Sequence, residues 1–164
     1  MTRDRLFDAF KMTRHPEGGA FVETYRSDLL ISPEGFPGLR AASTAIYFLL
    51  GRGEFSAFHR IRSDEMWHFY LGGPLRIVEI DRAGLLRETT LGRDIHEGHS
   101  LTHLVRAGTW FASYPAPESD FSLAGCTVAP GFDFQDFELA DRVELARHFP
   151  DHATIIATLA ASGK

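Results

Sequence analysis

The sequence predicts an all-β sandwich or barrel with helix confined to its two ends. Three observations carry this. From Ala20 onward apolar residues recur with period two in short runs, and turns rich in Gly and Pro separate those runs. The 164 residues also include 14 Phe and 15 Gly, a composition suited to β-structure. No helical segment interrupts the runs, which argues against alternating β-α-β units.

The elements follow in order. Thr2 is placed to cap a short helix whose Leu6, Phe7 and Phe10 recur at helical spacing. His15-Pro16-Glu17-Gly18-Gly19 breaks it, because Pro and a Gly pair punctuate turns. Expected strands are Ala20–Arg26, Ala42–Leu50, Phe55–Ile61, Met66–Leu71, Leu75–Ile80, Leu85–Leu91, Thr102–Ala107, Trp110–Tyr114 and Phe121–Ala129. Helix returns at Asp141, where Asp141-Arg142-Val143-Glu144 reads as a capping box ahead of Val143, Leu145 and Phe149. A second amphipathic stretch, roughly His152–Ala161, closes what reads as a single domain over residues 1–164.

Hydrophobic residues make up 44% and charged residues 24%, which excludes a disordered tail, a collagen-like fibre and a disulfide scaffold. Seventeen basic against 22 acidic residues give a net charge of −5, so the chain lacks the basic footprint a nucleic acid demands. Scattered Lys and Arg likewise argue against a membrane surface, and no apolar run is long enough to span one. The N-terminus lacks the apolar core of a signal peptide, and the lone Cys126 fits a reducing cytoplasm, the expected location.

Chemistry concentrates in Phe55–Ile80. On one strand Glu65, Trp67 and Phe69 share a face by period two; on the preceding strand His59 and Ile61 share one. A carboxylate alternating with two large aromatics is odd for a solvent face. Pointing inward, Glu65 must meet a metal, a partner or a proton.

The spacing Gly53-x5-His59-x-Ile61-x3-Glu65-x6-Gly72 resembles the first cupin motif, with Ile61 in place of the second histidine. The second motif falls on Arg106–Phe111, where only Gly108 survives and Phe111 replaces the third histidine. HPEGG (His15–Gly19), ETYRS (Glu23–Ser27), STAIYFLL (Ser43–Leu50), SDEMWHFYLG (Ser63–Gly72), AGTWF (Ala107–Phe111) and GCTVAPGFDFQDFELA (Gly125–Ala140) together resemble the cupin_5 branch, cupins of unsettled function. The resemblance implies an antiparallel jelly-roll, related in fold to the sugar-nucleotide 3,5-epimerases, and a homodimer.

The first functional reading is a small-molecule-binding cupin acting as a metal-free isomerase or epimerase on a sugar-like or other small polar ligand. His59 serves as general base, Glu65 orients its imidazole, and Tyr47 or Tyr25 supplies the opposing proton. Glu23, Tyr25, Trp67 and Phe134 are the expected ligand contacts. A metal-dependent oxygenase or decarboxylase and a non-enzymatic ligand-binding protein are the alternatives. No cofactor is expected: Ile61 and Phe111 offer no lone pair, leaving His59 and Glu65 for weak metal binding at most. Strand parity turns His68 away from the site. His96, His99 and His103 read as a solvated loop cluster, and His15, His148 and His152 as surface residues.

Overall fold

The computed structural model describes residues 1–161. The chain runs α1 (Arg3–Ala9), β1 (Thr13–Arg14), β2 (Ala20–Arg26), β3 (Leu30–Ile31), β4 (Arg40–Ala41), β5 (Thr44–Gly51), β6 (Ser56–Ile61), β7 (Asp64–Gly72) and β8 (Leu75–Ile80). It continues through β9 (Leu86–Leu91), β10 (Thr102–Val105), β11 (Trp110–Pro115), β12 (Phe121–Ala129), β13 (Phe137–Leu139), α2 (Arg142–His148) and α3 (Ala153–Leu159). A six-stranded sheet ordered β1-β2-β5-β12-β7-β10 faces a five-stranded sheet ordered β13-β6-β11-β8-β9, and β3 pairs with β4 alone. The ladders are antiparallel, so this is the expected jelly-roll.

Three apolar clusters hold the layers. Between the sheets lie Phe48, Leu50, Trp67, Leu75, Ile77, Leu91 and Phe111. Phe58, Val78 and Ile80, from the five-stranded sheet, pack against Leu145 of α2 and Ile156 and Leu159 of α3. Leu6 and Met12 pack on Leu49, Phe121 and Leu123 of the six-stranded sheet.

Both expected N-cap side chains cap their helices, although the Glu144 carboxylate pairs with Arg147 and does not close the capping box. Thr2 Oγ1 accepts from the Arg5 N–H, and Asp141 Oδ1 accepts from the N–H groups of Val143 and Glu144. Unforeseen were the short strands β1, β3, β4 and β13. A buried ion pair, Arg40 Nε to Asp136 Oδ2 at 2.6 Å and Nη2 to Oδ1 at 2.9 Å, joins β4 to the turn before β13. It fixes one end of the covering segment that forms the mouth of the barrel.

Candidate active site in the barrel

Period two decides what faces the interior. Thr44, Ile46 and Phe48 of β5, Cys126 and Val128 of β12, and Glu65 and Trp67 of β7 line one wall of a cavity of about 300 Å³. His59 and Ile61 of β6, with Phe137 of β13, line the other. In register, Cys126 stands opposite Trp67 on one side and Ile46 on the other. Glu65, Trp67 and His59 therefore share one cavity, as their spacing implied. Phe134 stands at its mouth, 52% exposed.

The floor is built by a segment that reads in the sequence as an ordinary turn. His15–Gly19 folds back onto β6: the Ala57 N–H donates to the Glu17 carbonyl at 2.8 Å, and Ser56 Oγ donates to Glu17 Oε1 at 2.8 Å. Gly18 makes this approach possible. Its φ is +112°, and a Cβ there would stand 2.1 Å from the Phe55 carbonyl oxygen. The turn thus delivers two side chains to the cavity, Glu17 at 8% exposure and His15. Expectation placed His15 on the surface and overlooked Glu17. Adjacent glycines flanked by a His and a Glu were the available signal, but alternation says nothing about a turn folded under a barrel.

Hydrogen bonding sets the protonation of this trio. His59 Nδ1 lies 2.8 Å from the Ala57 carbonyl and must donate to it, which leaves Nε2 as an acceptor, 3.2 Å from Glu17 Oε2. His15 Nδ1 accepts from the Glu17 N–H at 3.3 Å and lies 3.3 Å from the same Oε2. Oε2 thus faces two lone pairs, an arrangement satisfied when Glu17 carries the proton. Burial, with the nearby Glu65 charge, holds the Glu17 carboxyl well above the usual range. Burial also lowers His15 to about 4 and His59 to about 3.

Glu65 differs. It is 7% exposed, and burial pushes it up to about 7, opposed by the Cys126 thiol and the Trp67 indole. The indole N–H favours the charge by proximity but makes no hydrogen bond. Burial and the two carboxyls in turn push the Cys126 thiol well up, keeping it protonated. Glu17, not Glu65, is the carboxyl in contact with His59, which corrects the orienting role expected of Glu65. A His59 lowered to about 3 is also a poor base near neutrality.

The two tyrosines fall outside. Ile46 and Phe48 point inward, so Tyr47 points out, its ring 5.0 Å from Phe10 and 5.7 Å from Tyr70. Tyr25 is 53% exposed and does not line the cavity, because the register of β2 on β5 shifts between Glu23 and Tyr25. Glu23 does reach the mouth, tied to Arg26 at 2.6 and 3.0 Å. His68 bonds Thr127 Oγ1 outside the cavity, and His103 lies on β10 beside Glu79 rather than in a loop.

The donor set does not fit the metal of other cupins. At the ligand positions Ile61 is apolar, and Phe111 lies with its ring 4.1 Å from His59. Among the described residues no group of three His, Cys, Asp or Glu is placed to hold an ion.

Comparison with known proteins agrees with the fold. The chain is 36% identical to protein SO0799 from Shewanella oneidensis, with a TM-score of 0.91 over 99% of both chains. It is 30% identical to a hypothetical protein from Leishmania major, with a TM-score of 0.93 over 99% of this chain and 100% of that one. Against the uncharacterized protein YML079W of Saccharomyces cerevisiae it is 29% identical over 95% of this chain and 85% of the relative. The family model described as Cupin superfamily (DUF985) matches residues 4–140, and on that match the chain belongs to the Cupin_5 family.

Proposed function

We propose that the protein binds a small organic molecule inside its barrel and moves a proton on it, as an isomerase working without a resident metal. The observation that supports this best is the pairing of two unlike carboxyls in one aromatic-walled cavity. Glu17 is held as an acid against His59 at 3.2 Å, while Glu65 titrates near 7. A group titrating near the working pH is the most effective general acid–base, and an acid that stays protonated leaves that end of the cavity uncharged. In this reading the Glu65 carboxylate takes a proton from a carbon next to a carbonyl or iminium group. The electrons move onto the carbonyl oxygen or iminium nitrogen, and Glu65 returns the proton at a neighbouring position, while Glu17 keeps its proton on His59.

The same reading places the protein in the cytoplasm, where the free Cys126 thiol is kept reduced, and pairs it with a second copy. No helix among the described residues is long and apolar enough to cross a membrane. The test is deuterium exchange. Small molecules released from the purified protein, or found by ligand-observed NMR, are incubated with it in D2O. Deuterium entering a carbon-bound position, and lost in Glu65→Gln, supports the isomerase. Ligands that return unlabelled from the intact protein reject catalysis and leave a binding protein.

A further inference from the structure

The charges around this cavity are unequal in sign. Its depth holds the carboxyls of Glu17 and Glu65, with Cys126 beside Glu65, and two imidazoles, His15 and His59, that burial keeps neutral. At the mouth stand Glu23 and Asp133. Among the described residues lining the cavity, Arg26 is the sole Arg or Lys, and Glu23 occupies its Nε and Nη2 at 3.0 and 2.6 Å. An anion entering here meets carboxyls and no free cation. A cation meets the Glu65 carboxyl, able to ionise against it, with the carbonyl side of protonated Glu17 close by.

The walls point the same way. Phe132, Phe134 and Phe137 meet edge to face at the mouth, with ring centroids 5.0, 6.0 and 6.3 Å apart. Phe48 and Trp67 continue the aromatic lining inward, 5.6 Å apart. Ring faces carry negative potential and attract cations that have shed water, and an aromatic box beside a carboxylate is the arrangement that holds organic ammonium groups.

We propose that the cavity selects a small organic cation, a protonated amine or amidine carried on a flat ring or short chain, over neutral and anionic molecules of the same size. The inference rests on the binding role proposed above and names its ligand class. The cationic head sits between Glu65 and Glu17, and the apolar part lies against the phenylalanines. Binding ionises a carboxyl that otherwise holds its proton, so it releases a proton and strengthens as pH rises toward 8. Of the groups facing it, His15 and His59 stay neutral and Cys126 keeps its proton through that change, and Glu23 at the mouth is paired with Arg26 near Asp133.

Three probes of one shape test this on the intact protein: benzylammonium, benzyl alcohol and benzoate, titrated by NMR and calorimetry at pH 6 and pH 8. Benzylammonium is expected to bind about tenfold or more tightly than either other probe. Its affinity should rise with pH, with a buffer-dependent heat that reports proton release. Glu65→Gln should erase the preference while leaving benzyl alcohol binding in place. Should that variant not fold, Phe134→Ala at the half-exposed mouth serves instead, weakening benzylammonium more than benzyl alcohol. Benzyl alcohol or benzoate binding as tightly as benzylammonium overturns the cation preference and leaves the binding role standing. If none of the three binds at millimolar concentration, both fall.

Discussion

His59 Nε2 lies 3.2 Å from Glu17 Oε2, while its Nδ1 is committed to the Ala57 carbonyl at 2.8 Å. Backbone geometry thereby sets the tautomer of the imidazole, and the tautomer sets the protonation of the acid. Nothing in this chain of consequences needs a charge inside the barrel. That is why a His and a Glu tolerate burial there without the desolvation cost of an ion pair.

Replacing Glu17 separates the proton from the hydrogen bonds. The amide of Glu17→Gln can donate to His59 and accept from Ser56, so this variant should melt close to the parent. Glu17→Ala leaves Ser56 Oγ and His59 Nε2 unpartnered in a buried site and should lose about 1–3 kcal/mol by chemical denaturation. Nitrogen chemical shifts of His59 should report the Nδ1–H tautomer near pH 6 in the parent and in the Glu17→Gln variant alike. An imidazolium there would refute the assigned proton.

Stability should depend on pH with a worked sign. Glu65, raised from 4.5 to about 7, binds its proton more tightly folded than unfolded. Its contribution is therefore full below pH 4.5 and is lost as pH rises through 7. His15 and His59, lowered from 6.5 to about 4 and about 3, act oppositely, favouring the fold above 6.5 and losing that as pH falls. Between 4.5 and 6.5 the slopes oppose, and above 6.5 the carboxyls dominate. From pH 6.5 to 8 Glu65 should cost about 1 kcal/mol. The stability difference between Glu65→Gln and the parent should shift by that amount in favour of the variant over this interval. A pH-independent difference would show that Glu65 is not raised.

How much of this was legible in sequence depends on what alternation can see. It located β2, β8 and β12 at their observed ends and put Glu65 and Trp67 on one face and His59 and Ile61 on another. It failed for Tyr25 because a bulge after Glu23 resets the parity, and a bulge leaves no mark in polarity. Tyr47 was ambiguous because β5 is apolar on both faces, one turned to the cavity and one covered by α1. The floor of the site was invisible for a different reason. His15 and Glu17 belong to a turn, and a turn's destination is set by tertiary contact with β6, which no local pattern encodes.

The outer face of the six-stranded sheet leads to a prediction about assembly. Tyr25 of β2 and Tyr70 and Leu71 of β7 are each about half exposed on this sheet, with Leu101 just before β10. We expect a second copy packed by two-fold symmetry to cover these residues. Light scattering should give twice the 18.3 kDa chain mass at micromolar concentration. Leu71→Glu should shift the mass toward the monomer without lowering the ligand affinity of the cavity. A monomeric parent protein would reject this.

Metal affinity offers a prediction with a constructive arm. A cupin metal site uses three imidazoles and a carboxylate, and each lost donor removes both binding energy and geometry. Here His59 and Glu65 line the cavity, but Ile61 offers no lone pair, and Phe111 sits directly opposite His59 in the β6–β11 ladder. The surviving imidazole is also committed: Nδ1 donates to Ala57, and Nε2 meets the acid of Glu17 rather than open space. An ion at this place would have to displace that proton and complete its shell with water against aromatic walls. Elemental analysis of protein purified without metal-affinity resin should therefore find Fe, Mn, Ni and Zn well below one per chain. Ile61→His with Phe111→His restores the missing donors at the positions where other cupins carry them. Provided the pair folds, as judged by its melting curve, it should take up a divalent ion that the parent does not hold. A stoichiometric metal in the parent, lost in His59→Ala, would overturn the metal-free reading and move the protein to the metal-dependent class.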